Sequence, residues 1–293
     1  MHWIVGLDLL DLSSGALRLA SWLRKRAPEA SFSGVHVLTT HPLRHSLSDK
    51  TEVELRAWVQ GLAEKSVDEA GAAAELRDVR VIEASSAEEG LGAALEAAAG
   101  SVLIIGRKAK ANSEKVIRLG RVARRLLRRM PAPIAVVPPD LGAELAPGPV
   151  VLATDLGPSS ESALDFAVEL ASTVGRDLLV VHAFSVHSAL EVYIAPSAWD
   201  RASIEASSQA EASVQAWRER HQIKARSLVV RGPTAHGVLE TCVREKACMI
   251  VAGSRRLSFL DRIFTSSVGG DLAALASIPV IIVPAEPPAQ AAP

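Results

Sequence analysis

Cysteine is scarce in this 293-residue sequence: only Cys242 and Cys248 occur, close together and in apolar surroundings. That placement reads as reduced core thiols rather than a disulfide, and it offers no metal-ligand spacing. An excess of charge of either sign is missing too, since 32 Lys and Arg against 33 Asp and Glu leave a formal net charge of −1. No global field draws nucleic acid to such a chain, and no nucleic-acid partner is expected. Apolar runs are short, and none approaches the roughly 20 residues that cross a bilayer. The opening MHWIVGLDLLD meets an acid too early for a secretory signal, so a cytoplasmic location without a membrane partner is expected. Also lacking are a GxxxxGKS/T loop, a GxGxxG after the first strand, a GxSxG elbow and a His/Glu metal cluster. Each lack removes a class of enzyme, and no catalytic residue or metal ligand is singled out. What remains, 48% hydrophobic and 22% charged residues, is a globular composition long enough for two domains.

The sequence says the same thing twice. WIVGLDL ends in Asp8 and PVVLATDL in Asp155, each followed by a serine pair and an amphipathic segment. The second strand of each half carries a histidine near its end, His36 and His182, and the fourth ends in a glycine, Gly106 and Gly253. PAPIAVVP around Pro133 is matched by SIPVIIVP around Pro279. These four landmarks repeat at offsets of 146 or 147 residues, which marks an internal duplication. Between the halves, PPDLGAELAPGP has no apolar period and reads as a linker. The expected organisation is a first domain at 1–138, a linker at 139–148, a second domain at 149–284 and an unstructured tail at 285–293.

Within each half the order is strand, helix, strand, long helix, strand, helix, strand, helix, strand. Helices are expected near 14–26, 51–73, 87–99 and 116–130, then near 160–174, 202–220, 234–245 and 267–276. Such alternation means right-handed βαβ units, giving an α/β chain with two doubly wound, parallel, five-stranded Rossmann-like sheets. Ligands of such sheets sit beyond the strand C-termini. The short apolar strands at 134–137 and 280–283 are a liability as open edges, so both are expected to be paired.

The stretch from Cys248 to Pro284 condenses the chemistry. A buried strand ends at Gly253; Ser254, Arg255 and Arg256 follow, and Ser266 and Ser267 supply hydroxyls where a new helical period begins. A strand-end glycine followed by free N–H groups at a helix start can hold a phosphate, although an ordinary strand-to-helix connection has the same outline.

On these residues each half resembles a universal stress protein domain, and the chain resembles a tandem member of that family. The matched pieces are the aspartates ending the first strands, the His-Val and His-Ala ends of the second, the strand-to-glycine loops, the proline before each last strand and, in the second half, Gly232-Pro233. In nucleotide-binding members a glycine, two residues, a glycine, nine residues, and then glycine with serine or threonine cradle the phosphates of ATP. The resemblance implies that the first-strand aspartate contacts the adenosine end. It further implies an intramolecular pseudo-dimer through the last strands, and it is compatible with further dimerisation of whole chains into homodimers.

Both loops depart from that pattern. In the second half the spacing is intact, with Gly253, Arg256, Ser266 and Ser267 on the four positions, but arginine and serine replace two glycines. A side chain at such a place costs about 1 kcal/mol or blocks the phosphate, whereas Arg255 and Arg256 can themselves reach phosphates. In the first half Gly106 and Gly120 remain, the segment between is one residue longer, Ala109 takes the second position and Arg121 stands where the hydroxyl belongs. The second half is therefore the expected nucleotide site, through Asp155, Gly253, Ser254, Arg255, Arg256, Ser266 and Ser267, with Asp8, Gly106 and Gly120 as the weaker counterpart.

Each candidate has a plainer reading. Asp8 and Asp155 can serve as ribose ligands or as caps of the following helix. His36 and His182 read as satisfied rim residues rather than catalytic ones, and His236 as a residue near the ligand edge. Arg118, Arg121, Arg125 and Arg128 form a stripe at steps of three and four, either a solvated face or a site for an anion or acidic partner. The expectation is a tandem, ATP-responsive stress or signalling protein without a catalytic site. A tandem interaction or regulatory module that has lost nucleotide is the alternative, and a phosphate-hydrolysing enzyme a distant third.

Overall fold

The computed structural model describes residues 1–9, 13–39, 49–76, 78–107, 119–185, 196–254 and 268–285. The chain divides into two compact units, the first comprising Met1–Leu145 with Ala273–Pro284 and the second Ala146–Leu272 with Ala285.

Unit 1 opens with β1 (His2–Leu7), α1 (Ser14–Arg26), β2 (Ser31–Thr39), α2 (Asp49–Glu69) and β3 (Asp78–Ala84). It continues with α3 (Ala87–Ala97), β4 (Ser101–Gly106), α4 (Arg121–Arg129) and β5 (Ile134–Val137). The strands lie in the order β3-β2-β1-β4-β5, all parallel, with β10 (Val280–Pro284) added antiparallel to β5. β1, β4 and β5 are buried almost throughout because helices cover both faces, and their sequences are accordingly unbroken apolar runs. α1 buries Leu17, Leu19, Trp22 and Leu23 on one side and places Arg24, Lys25 and Arg26 at its C-terminal carbonyls, where cations are favoured. Ser86 caps α3 by accepting from the Glu89 N–H at 3.3 Å.

Unit 2 repeats the plan with β6 (Val150–Thr154), α5 (Glu161–Thr173), β7 (Leu178–Phe184), α6 (Pro196–Arg220), β8 (Arg226–Arg231), α7 (Thr234–Arg244), β9 (Met249–Ser254) and the start of α8 (Val268–Leu275), whose residues from Ala273 on belong to unit 1. Its parallel strands run β8-β7-β6-β9. The segment Ala273–Pro284, the end of the second repeat in sequence, packs within unit 1.

Some boundaries differ from expectation for local reasons. α2 stops at Glu69 rather than at 73 because Gly71, at φ 69°, takes the left-handed conformation that ends a helix, and the Ala72 N–H returns to the Val67 carbonyl. α6 begins at Pro196, six residues early, since proline suits a first helical position. α4 begins at Arg121; Leu119 and Gly120 precede it in non-helical form, and 116–118 lie outside the described residues. The linker is well anchored despite its composition. Ser14 and Arg18 of α1 donate to the Pro139 and Leu141 carbonyls at 3.0 and 2.7 Å, and Leu141 and Leu145 are buried. Further on, the Gly148 N–H donates to the Lys246 carbonyl at 2.9 Å, and a Cβ on Gly148 would run into the Glu245 and Lys246 carbonyls. The tail beyond Ala285 lies outside the described residues.

Candidate functional site

The order of strands reverses direction of travel at β1 and β4 in unit 1, and at β6 and β9 in unit 2. A crevice forms beyond the strand C-termini at such a switch point. Asp8 and Asp155 immediately follow β1 and β6, Gly106 is the last residue of β4, and Gly253 is the last but one of β9. The topology thus brings each predicted aspartate beside its predicted glycine, from strands about a hundred residues apart in sequence.

In unit 2, Asp155 Oδ1 accepts from the Gly157 N–H at 3.0 Å and from the Ser160 hydroxyl at 2.9 Å. Both bonds end on Oδ1, which leaves Oδ2 of this exposed residue to accept from another donor. Leu156 sits at φ 62°, a costly conformation for a branched side chain, and its N–H donates to Thr154 Oγ1 at 2.9 Å. Unit 1 repeats this turn: Asp8 Oδ1 accepts from the Ser13 N–H at 3.2 Å and the Ser13 hydroxyl at 2.8 Å, and Leu9 has φ 57°. The aspartates are thus clasps for the turn into the next helix, and neither is the helix cap in the strict sense, since Ser13 and Ser160 occupy that position.

The two histidines complete the turn from the neighbouring strand. His36 Nδ1–H donates to the Leu7 carbonyl at 2.8 Å, and His182 Nδ1–H to the Thr154 carbonyl at 2.9 Å. Leu7 and Thr154 immediately precede the aspartates, so each imidazole fixes the backbone from which a candidate ligand springs. The plain reading of these residues as satisfied rim groups holds. His236 is exposed and pairs with Glu240 one turn on, at 3.0 Å.

The glycines separate into two kinds. A Cβ on Gly253 would be built into the Ser159 carbonyl oxygen, so glycine is obligatory there for backbone packing against the turn that Asp155 holds. Gly120 caps α4 at φ −57°, and a Cβ on it would meet none of the described residues within 4 Å. Ser254 is half-buried, and its carbonyl accepts from the Ala285 N–H at 3.2 Å. Arg255, Arg256, Ser266 and Ser267 lie outside the described residues, as does Ala109.

Sequence reasoning missed Arg107, the residue after Gly106. Its guanidinium donates to the Ala274 carbonyl and, at 2.6 Å, to the Ala276 carbonyl, closing the end of α8. Burial pulls its pKa below the ordinary arginine value, with Asp140 opposing. The serines that bond the aspartates were visible as a repeated pair, but their role was not drawn from them. Burial pushes the Cys242 thiol up to about 12, and Cys248 is fully buried, so both are inert core thiols. Among the described residues no three His, Cys, Asp or Glu side chains gather as a metal site. Nor is any described helix long and apolar enough to cross a membrane.

Comparison with known proteins gives the family. The model of the universal stress protein family matches twice, over residues 1–138 and 148–284. Universal stress proteins of Mycobacterium tuberculosis and Mycobacterium bovis are each 28% identical over 176 residues, covering 58% of this chain and 55% of theirs. The chain thus matches about half the length of these curated relatives. Among solved structures, a universal stress protein from Archaeoglobus fulgidus aligns over 97% of this chain and 98% of its own with a TM-score of 0.63 at 16% identity. A functionally unknown protein from Pseudomonas aeruginosa aligns over 97% and 92% with a TM-score of 0.60 at 13% identity, which shows likeness of fold. With the family model matched once in each half of the duplicated sequence, the chain belongs to the universal stress protein family and is a tandem member of it.

Proposed function

We propose that this tandem universal stress protein is a cytoplasmic, nucleotide-responsive stress or signalling protein that takes ATP, or another adenine nucleotide, at the switch point of unit 2. The observation that carries the reading is the pairing of β6 with β9 up to Ala153 opposite Ala252, which brings Asp155 and Gly253 to the same edge of the sheet, with Asp155 clasped through Oδ1 alone. A preset carboxylate whose second oxygen accepts from a ribose hydroxyl requires no rearrangement on binding. Gly253 and Ser254 lead from there toward the phosphate end, where Arg255 or Arg256 meet the outer phosphates and Ser266 and Ser267 supply helix-start donors. Unit 1 is the weaker candidate, through Asp8, Gly106 and Gly120, because Arg107 beside Gly106 is committed to the Ala274 and Ala276 carbonyls.

One observation favours the second reading, an interaction or regulatory module without nucleotide. Gly253 is already required by the Ser159 carbonyl, so its presence is accounted for without a phosphate. Equilibrium dialysis with labelled ATP decides between them. Wild type binds below millimolar ATP; Asp155→Ala and Ser267→Glu each weaken binding by about tenfold or more, and Arg121→Glu leaves it unchanged. No binding by wild type up to millimolar ATP puts the interaction module in its place, and loss in Arg121→Glu alone moves the site to unit 1.

A further inference from the structure

The arginines of α4 are not absorbed by the nucleotide reading. The helix reads RVARRLLRR, and at about 100° per residue its Arg121, Arg124, Arg125, Arg128 and Arg129 fall within an arc of about 140°. All five are exposed, while Ala123 and Leu126 on the opposite face are buried against the unit. Among the described residues only Arg125 meets a carboxylate, that of Glu88. Arg121/Arg125, Arg124/Arg128 and Arg125/Arg129 are like-charged neighbours one turn apart, and Arg121 opens a helix whose first turn holds no acid. Each of these arrangements opposes helix stability.

The duplication supplies an internal control. At the repeat offset of 146 that Pro133 and Pro279 share, Arg124, Arg125, Arg128 and Arg129 correspond to Gly270, Asp271, Ala274 and Leu275 in α8. The fold therefore forms a helix at this place without a single basic residue, and the arginines other than Arg125, which Glu88 holds, answer a need that is not structural. A solvated face would be served by charges of mixed sign; this one has a single sign and five planar guanidinium forks, the group suited to bidentate capture of carboxylates.

We infer that the exposed face of α4 is a docking surface for an acidic protein segment, one presenting Asp or Glu at helical steps of three and four or along an extended stretch. Nucleic acid is disfavoured by the net charge of −1 and by the lack of any aromatic side chain on the helix for base stacking. A membrane surface is disfavoured because nothing apolar lies between the arginines to enter the acyl region; Val122 and Leu127 flank the buried side.

Fluorescence anisotropy of a labelled 20-residue polyglutamate peptide with the full chain at low salt tests this. Saturable binding is expected, weakened about tenfold or more in the Arg124→Glu/Arg128→Glu double variant and partly in Arg124→Gln/Arg128→Gln, with circular dichroism unchanged. Charge reversal at exposed Arg220 and Arg244 is expected to leave binding intact. No binding of the peptide, or equal weakening by the Arg220 and Arg244 reversals, overturns the assignment. So does a single-stranded oligonucleotide of equal charge that binds as tightly with the same dependence on Arg124 and Arg128.

Discussion

A glycine can be needed for what it lets a ligand do or for what it lets the backbone do, and the two were inseparable in the sequence. Gly106, Gly120 and Gly253 stood together as candidates because a phosphate loop calls for glycines at those places. The structure divides them: Gly253 lies under the Ser159 carbonyl, whereas a Cβ on Gly120, at an ordinary φ, meets none of the described residues. Gly253→Ala must push the Pro158–Ser160 turn away from β9, and a destabilisation of about 3 kcal/mol is expected. Gly120→Ala should fall within about 0.5 kcal/mol of wild type. Urea denaturation of the two variants measures the difference directly, and equal stabilities would contradict the close approach at Ser159. The aspartates were legible as strand-end residues, but their clasp onto Ser13 and Ser160 was not, because the bond spans five residues of turn whose path no periodicity encodes.

Helices and strands were readable to the extent that burial imposes a period on them. β1, β4, β6 and β9 are covered on both faces and show as unbroken apolar runs, so their positions followed from the sequence. The ends of α2 and α6 were displaced, since a left-handed glycine and an opening proline, rather than the apolar stripe, set them. α8 shows how far an element's stability lies outside its own residues. It is eight residues long, too short to hold itself in water, and its last carbonyls are closed by Arg107 from the end of β4. Arg107→Met keeps the length and removes the donors, leaving the Ala274 and Ala276 carbonyls without them. A loss of about 2–3 kcal/mol is expected, as for hydrogen bonds to a charged group. Thermal or urea unfolding measures it; an unchanged midpoint would mean that solvent satisfies those carbonyls and that the clasp is incidental.

At the scale of the chain, the duplication was legible because four landmarks repeat at one offset, and the family model falls on the same two halves. That the last strands would be paired was also legible, from the cost of leaving a short apolar strand as an open edge. What the repeat could not convey is that Ala273–Pro284, second-half sequence by every landmark, packs within unit 1. β10 lies antiparallel to β5 with Val280, Ile281 and Ile282 opposite Val136, Ala135 and Ile134, and its four apolar residues are at most 5% exposed. Ending the chain after Ile278 removes that strand. At about 1.5–3 kcal/mol for each buried Val or Ile, unit 1 loses roughly 5 kcal/mol or more, comparable to the whole stability of an ordinary domain. Peptide-resolved hydrogen exchange on the shortened chain should therefore show faster exchange in β4 and β5 with β6 and β7 unchanged, and size-exclusion chromatography should show self-association through the freed β5 edge. A monomeric shortened chain whose β4 and β5 amides keep their full protection would show that β10 contributes little to unit 1.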